Sequence, residues 1–158
     1  TLRLKSALNR GGTVEYIYMT NVVADGVQNV LAADLNWNPS YSYSELPAEY
    51  EGKEVPEHWN VMLQKVEPVE KGYPHFNHVY LANVKATNAK QFISASGWND
   101  SLTLNDFTLY NLDVEAEKAG IVAHTKKFRL TDIKLKISDN SQIEFNKNSQ
   151  LKKNIRYE

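Results

Sequence analysis

The 158-residue chain contains no cysteine, which excludes disulfide staples and thiolate chemistry of any kind. A single domain of this length is large enough to rely on a buried core instead. The lack of cysteine fits a cytosolic or bacterial exported protein better than a small animal secreted domain. An excess of one charge sign is also missing. With 18 Lys and Arg against 19 Asp and Glu, nothing argues for nucleic acid as a partner. No apolar run approaches the roughly 18 residues a membrane span requires, so no membrane partner is expected. Gly-rich phosphate loops and Ser-nucleophile signatures are absent, and no cofactor is implied. Helix-forming residues at three-to-four spacing extend over no long window, except around Ala116–Ala119.

What is present is a weak internal repeat. The segments "IYMTNV" (17–22), "VYLANV" (79–84), "FTLYNL" (107–112) and "FRLTDI" (128–133) share one pattern: apolar, any, apolar, any, Asn or Asp, apolar. Their starting residues are 62, 28 and 21 positions apart. The long interval leaves room for an extra turn of the repeat, with "VQNVLAADLNW" (27–37) and "WNVMLQKV" (59–66) as strand-like candidates. Short β-rich runs with an Asn at one recurring corner predict an all-β fold, a right-handed parallel β-helix. Asn tolerates left-handed backbone geometry, and its amide can bond to equivalent amides above and below. Asn21, Asn83, Asn111 and Asp132 are the predicted ladder. An antiparallel sandwich also alternates and turns on Asn, and the pattern leaves it open. The whole chain, 1–158, reads as one domain. Its stretch 37–59, "WNPSYSYSELPAEYEGKEVPEHW", reads as an aromatic and Pro-rich loop insertion. The tail 148–158 reads as a final strand or a frayed end.

"TLRLKSALNRGG" opens the chain with Leu2 and Leu4 alternating with Arg3 and Lys5. On a strand the two cations project to one side and the leucines to the other. Joined to "NRGGTVEYIYMTNV" and "NHVYLANV", the "RLK" tripeptide resembles the later part of glycoside hydrolase family 28, the polygalacturonases and their relatives. Leu4 stands where the family commonly has Ile; Gly11–Gly12 and Val14 to Val22 continue the resemblance, which runs to about residue 137. It implies a right-handed parallel β-helix and inverting hydrolysis of α-linked galacturonate in pectin-type polysaccharide. It also implies a secreted or periplasmic location and substrate-carboxylate binding by Arg3 and Lys5. Without it, Arg3 and Lys5 are the solvated charges of a half-exposed strand.

The family's acids come from Asn-Thr-Asp, Asp-Asp and Gly-His-Gly motifs that precede the basic strand, and this chain contains none of them. Inverting hydrolysis needs two carboxyls roughly 6.5–9.5 Å apart. Asp25, Asp34, Glu115 and Glu117 give no sign of such a pair. The expectation is therefore half a site, with no catalytic residue in this chain. Trp37, Tyr41, Tyr43 and Trp59 join Arg3 and Lys5 as candidate substrate-binding residues, a sugar-stacking rim; the same rings could instead pack the loop down. His75 and His78 are too poorly aligned on a strand to suggest a metal site, and His58 and His124 stand alone. A non-catalytic module for acidic glycans and a structural, self-associating β-solenoid remain the alternatives. The expected partners are an acidic oligosaccharide or polysaccharide and, at the Thr1–Lys5 edge, preceding N-terminal coils of the same protein or a second copy.

Overall fold

The computed structural model describes residues 1–42 and 44–158. Among the described residues strands take up 58%, against a single six-residue α-helix, so the fold is all-β. In order these are β1 (Leu2–Lys5), β2 (Thr13–Asp25), β3 (Asn29–Asp34), α1 (Glu57–Met62), β4 (His75–Ser96), β5 (Leu104–Ile137), β6 (Glu144–Ser149) and β7 (Lys152–Tyr157). Short 3-10 turns lie between β3 and β4. The seven strands form one sheet of order β1-β3-β4-β5-β6, with β2 added to β4 and β7 to β5.

Every pairing is parallel: Leu2 with Leu31, Thr13 with His75, Asn29 with Gln91, Asn77 with Asn105, Ile121 with Glu144, and Arg129 with Lys152. The antiparallel sandwich is therefore not what forms. The strands are long because they turn corners without losing their pairing. Within β2, β4 and β5, positive φ recurs at Tyr16 and Asn21; at His78, Asn83 and Asn88; and at Asp106, Asn111, Lys127 and Asp132. A left-handed residue bends the chain and lets the next short arm continue the same ladder. Asn and Asp accept that geometry more readily than other non-Gly residues.

The Asn corner predicted from the repeat forms. Asn83 Nδ2 donates to Asn21 Oδ1 at 3.1 Å, and Asn111 Nδ2 donates to Asn83 Oδ1 at 2.8 Å. Asp132 shares the backbone geometry, with φ 54°. Inside the corners, alternate residues are buried: Val79, Leu81 and Val84 on β4, and Phe107, Leu109 and Leu112 on β5. Phe107 and Phe128 stack at 5.5 Å with their planes 12° apart. Such rings anchor the core, since burying a large apolar side chain contributes about 1.5–3 kcal/mol. At Gly120, φ is +105° and a Cβ would lie 1.8 Å from the Ile93 carbonyl oxygen, so only glycine fits this close approach.

Two sequence readings change. The segment 59–66 carries most of α1 and not a strand; Pro56 and Glu57 before "HWNVM" are a helix start that outweighs its apolar alternation. Ala116–Ala119 lies within β5, where Ala116 and Ala119 face the core, and is not helical. The tail forms β7, parallel to β5.

Candidate functional site: two cations on an indole ring

β1 is an edge strand with β3 as its neighbour. Leu2 and Leu4 are half-buried against the core while Arg3 and Lys5 are exposed, as the alternation predicts. After β3 the chain turns back over β1, and the Trp37 amide N–H donates to the Ser6 carbonyl oxygen at 3.2 Å. That bond places the indole beside the two cations. Lys5 Nζ lies 4.1 Å from the Trp37 ring centroid and Arg3 Cζ lies 5.6 Å from it. Both distances fall within the roughly 6 Å range in which the electron-rich ring face attracts a cation. Among the described residues no carboxylate forms an ion pair with Arg3 or Lys5. Asp34, in register beside Lys5, uses Oδ1 to accept from the Asn36 amide N–H at 2.8 Å. The turn is fixed from beneath: Ser42 Oγ donates to the buried Asn36 Oδ1 and accepts from the Leu8 amide N–H at 2.9 Å.

The rest of the candidate rim divides. Trp59, on α1, makes its ring contacts with Tyr50 at 6.1 Å and His58 at 5.7 Å, inside the segment between β3 and β4. Trp37 alone of the two tryptophans joins the cations. Tyr41 ends a 3-10 turn, Pro39–Tyr41, while its side chain, like the whole of Tyr43, lies outside the described residues. The segment is tied at its far end as well, where the Gly11 amide N–H donates to the Gly72 carbonyl oxygen at 2.8 Å.

A second polar cluster occupies the corner opposite in character. His78 Nδ1 donates to Asp106 Oδ2 at 2.9 Å, and Arg129 donates to Asp106 Oδ1 at 2.6 Å and to Thr108 Oγ1 at 3.2 Å. Tyr16 stacks on His78 at 4.9 Å with planes 7° apart. The Arg129 hydrogen bond chiefly, helped by that of His78, holds the Asp106 carboxyl below the usual carboxylate range. This cluster is missed by residue-by-residue reading, yet the repeat contains its signal. His78 and Asp106 immediately precede Val79 and Phe107, which are paired in register.

The carboxylates weighed for catalysis have other partners. Glu115 faces Lys136 at 3.5 Å and Glu117 pairs with Lys90. Asp25 accepts from Thr87 Oγ1 at 2.6 Å and Asn88 Nδ2 at 2.8 Å, and those bonds lower its pKa. His124 bonds to Asp100 at 2.9 Å. No family model, no curated protein and no solved structure matches the chain. The polygalacturonase likeness therefore rests on the "RLK", Gly-Gly and repeat residues alone.

Proposed function

We propose that the chain is a right-handed parallel β-helix that binds the carboxylates of an acidic, pectin-type polysaccharide through Arg3, Lys5 and Trp37. The parallel pairing at recurring offsets and the Asn corner support the helix. Right-handedness follows from the near-universal hand of parallel crossover connections. The observation that carries the binding site is the convergence of two cations on one indole, neither of them in an ion pair with a carboxylate among the described residues. Two like charges held side by side favour a bound anion, and Arg can grip a carboxylate with two parallel hydrogen bonds. A uronate joins that carboxylate to a sugar ring whose apolar C–H faces suit packing on an aromatic face. The role fits the substrate-binding portion of a polygalacturonase-like hydrolase, secreted or periplasmic, with the cleaving carboxylates outside this chain.

Calorimetric titration with oligogalacturonate tests the site. Saturable binding that falls about a hundredfold in the Arg3→Ala/Lys5→Ala double variant is expected, since a charged hydrogen bond contributes about 1.5–3 kcal/mol. Unchanged affinity in that variant contradicts the assignment. Counting reducing ends in the same mixture tests catalysis, and appreciable turnover by this chain alone overturns the half-site reading.

A second reading, self-association, draws on β2. Among the described residues this 13-residue strand pairs with β4 alone, and Val14, Tyr16, Tyr18 and Val23 are exposed along it. An unpaired edge of that length is a template for another chain. Two copies meeting antiparallel align their corners only if Tyr16 opposes Asn21. That register sets half-buried Ile17, Met19 and Val22 against exposed Thr20, Tyr18 and Glu15. Parallel, head-to-tail addition has no such conflict and does not close. Association should therefore grow with concentration in light scattering; a dilution-insensitive monomer rules it out.

A further inference from the structure

Half-buried apolar side chains gather on the outermost strands of the sheet. Leu2, Leu4 and Val22 lie on β1 and β2 at one end, and Phe145 and Ile155 on β6 and β7 at the other. Among the described residues each of these four strands pairs along one edge alone. The register of the sheet fixes what the two ends present to each other. Arg3, Ala32, Ser94, Ile121 and Glu144 form one column across β1, β3, β4, β5 and β6. Its first rung is an exposed cation and its last an exposed carboxylate. The neighbouring column runs from Leu4 to Phe145, half-buried and apolar at both ends, and the next from Lys5 to the polar Asn146. On the other arm, Val22, Val84 and Leu112 share a column. Ile133, one 21-residue repeat beyond Leu112, continues it to Ile155. This column also begins and ends on half-buried apolar groups.

We infer that a second copy of this chain docks end to end, its β1 beside β6 and its β2 beside β7, so that Arg3 of one copy pairs with Glu144 of the next. The inference rests on the self-association reading and names the surface that receives the β2 edge. Each column then continues by one strand spacing, roughly 4.8 Å, with opposite charges facing and apolar groups meeting apolar groups. The contact joins two different surfaces, so the stack lengthens and does not close. One group opposes it. Lys153 follows buried Leu130 in a core-facing column, and its Nζ lies 4.6 Å from the Phe145 ring centroid. An inward-pointing cation at a sheet edge disfavours the addition of another strand, so the junction is weak and concentration-dependent.

Sedimentation velocity over a concentration series tests the register on the whole chain and three variants. Arg3→Glu and Glu144→Arg each set like charges against each other at every junction, and each alone should weaken association about fivefold or more. Both positions are exposed, so the fold is retained. An equimolar mixture of the two variants lets opposite charges meet again at alternating junctions, and wild-type association should return. Lys153→Met removes the opposing cation and should strengthen association at least about fivefold. Association that neither charge reversal weakens, that mixing does not restore, or that Lys153→Met does not strengthen overturns this register and leaves the self-association reading standing. A dilution-insensitive monomer overturns both.

Discussion

Around Asp106, two cationic or potentially cationic groups meet a carboxylate: Arg129 at 2.6 Å and His78 at 2.9 Å. Around Trp37, two cations meet a ring: Lys5 at 4.1 Å and Arg3 at 5.6 Å from its centroid. The first cluster links successive strands of the sheet and satisfies its charges internally. Its members are partly shielded, with Asp106 27% and Arg129 38% exposed. The second lies on an edge strand and leaves net positive charge facing outward. A ring orients cations without neutralising them, whereas a carboxylate does both. The difference teaches where to look for recognition: at charges that are positioned but not cancelled.

Substitutions at the two centres sharpen this contrast. Trp37→Ala should weaken oligogalacturonate binding about tenfold or more, because it frees two flexible side chains that the ring had ordered. Calorimetry checks this, and Asp106→Ala should leave the same affinity unchanged. Stability should respond in the other direction. Asp106→Ala removes the partner of Arg129 and His78 and should cost about 1–2 kcal/mol in urea unfolding. Arg3→Ala, whose side chain is exposed, should change the urea midpoint by much less. Equal losses of stability at the two sites would erase the distinction.

The Asn corner offers a smaller perturbation of the sheet that bears both clusters. Asn83→Ala deletes two side-chain hydrogen bonds and leaves Ala at φ 53°, for a loss of about 1 kcal/mol. Asn83→Gly relieves the backbone and should recover part of that loss, read from the thermal midpoint.

Acid should distinguish the clusters least strongly but with a definite sign. The Asp106 pKa is lowered in the folded chain, so its pairing stabilises fully above the unfolded carboxylate value of about 3.9. That contribution fades as pH falls through the folded value. Asp106→Asn should therefore flatten the stability profile below about pH 4, while Arg3→Ala should not. Chemical unfolding at a series of pH values reads the slope.

Much of the sheet was legible because its corners repeat. Asn21, Asn83 and Asn111 stand at one place in the repeat, and the backbone demand at that place selects Asn. The same register places His78 over Asp106, each five residues before its Asn, and Thr108 beside Arg129, each three residues before its corner. The unbroken length of β5 was not legible. Its corners at Asp106, Lys127 and Asp132 look like strand ends in sequence, although pairing continues through them. On β1, the exposure of Arg3 and Lys5 was legible from alternation. The choice of Trp37 over Trp59 was not, because it depends on the Trp37 amide returning to Ser6 and on α1 directing Trp59 toward Tyr50.

The most direct test of the account compares oligogalacturonate with its methyl-esterified form by calorimetry on the intact chain. Esterification removes the charge and keeps the sugar, so it isolates the role given to Arg3 and Lys5. The account predicts saturable binding of the acid and at least about tenfold weaker binding of the ester. Equal affinities, or binding of neither, would contradict it.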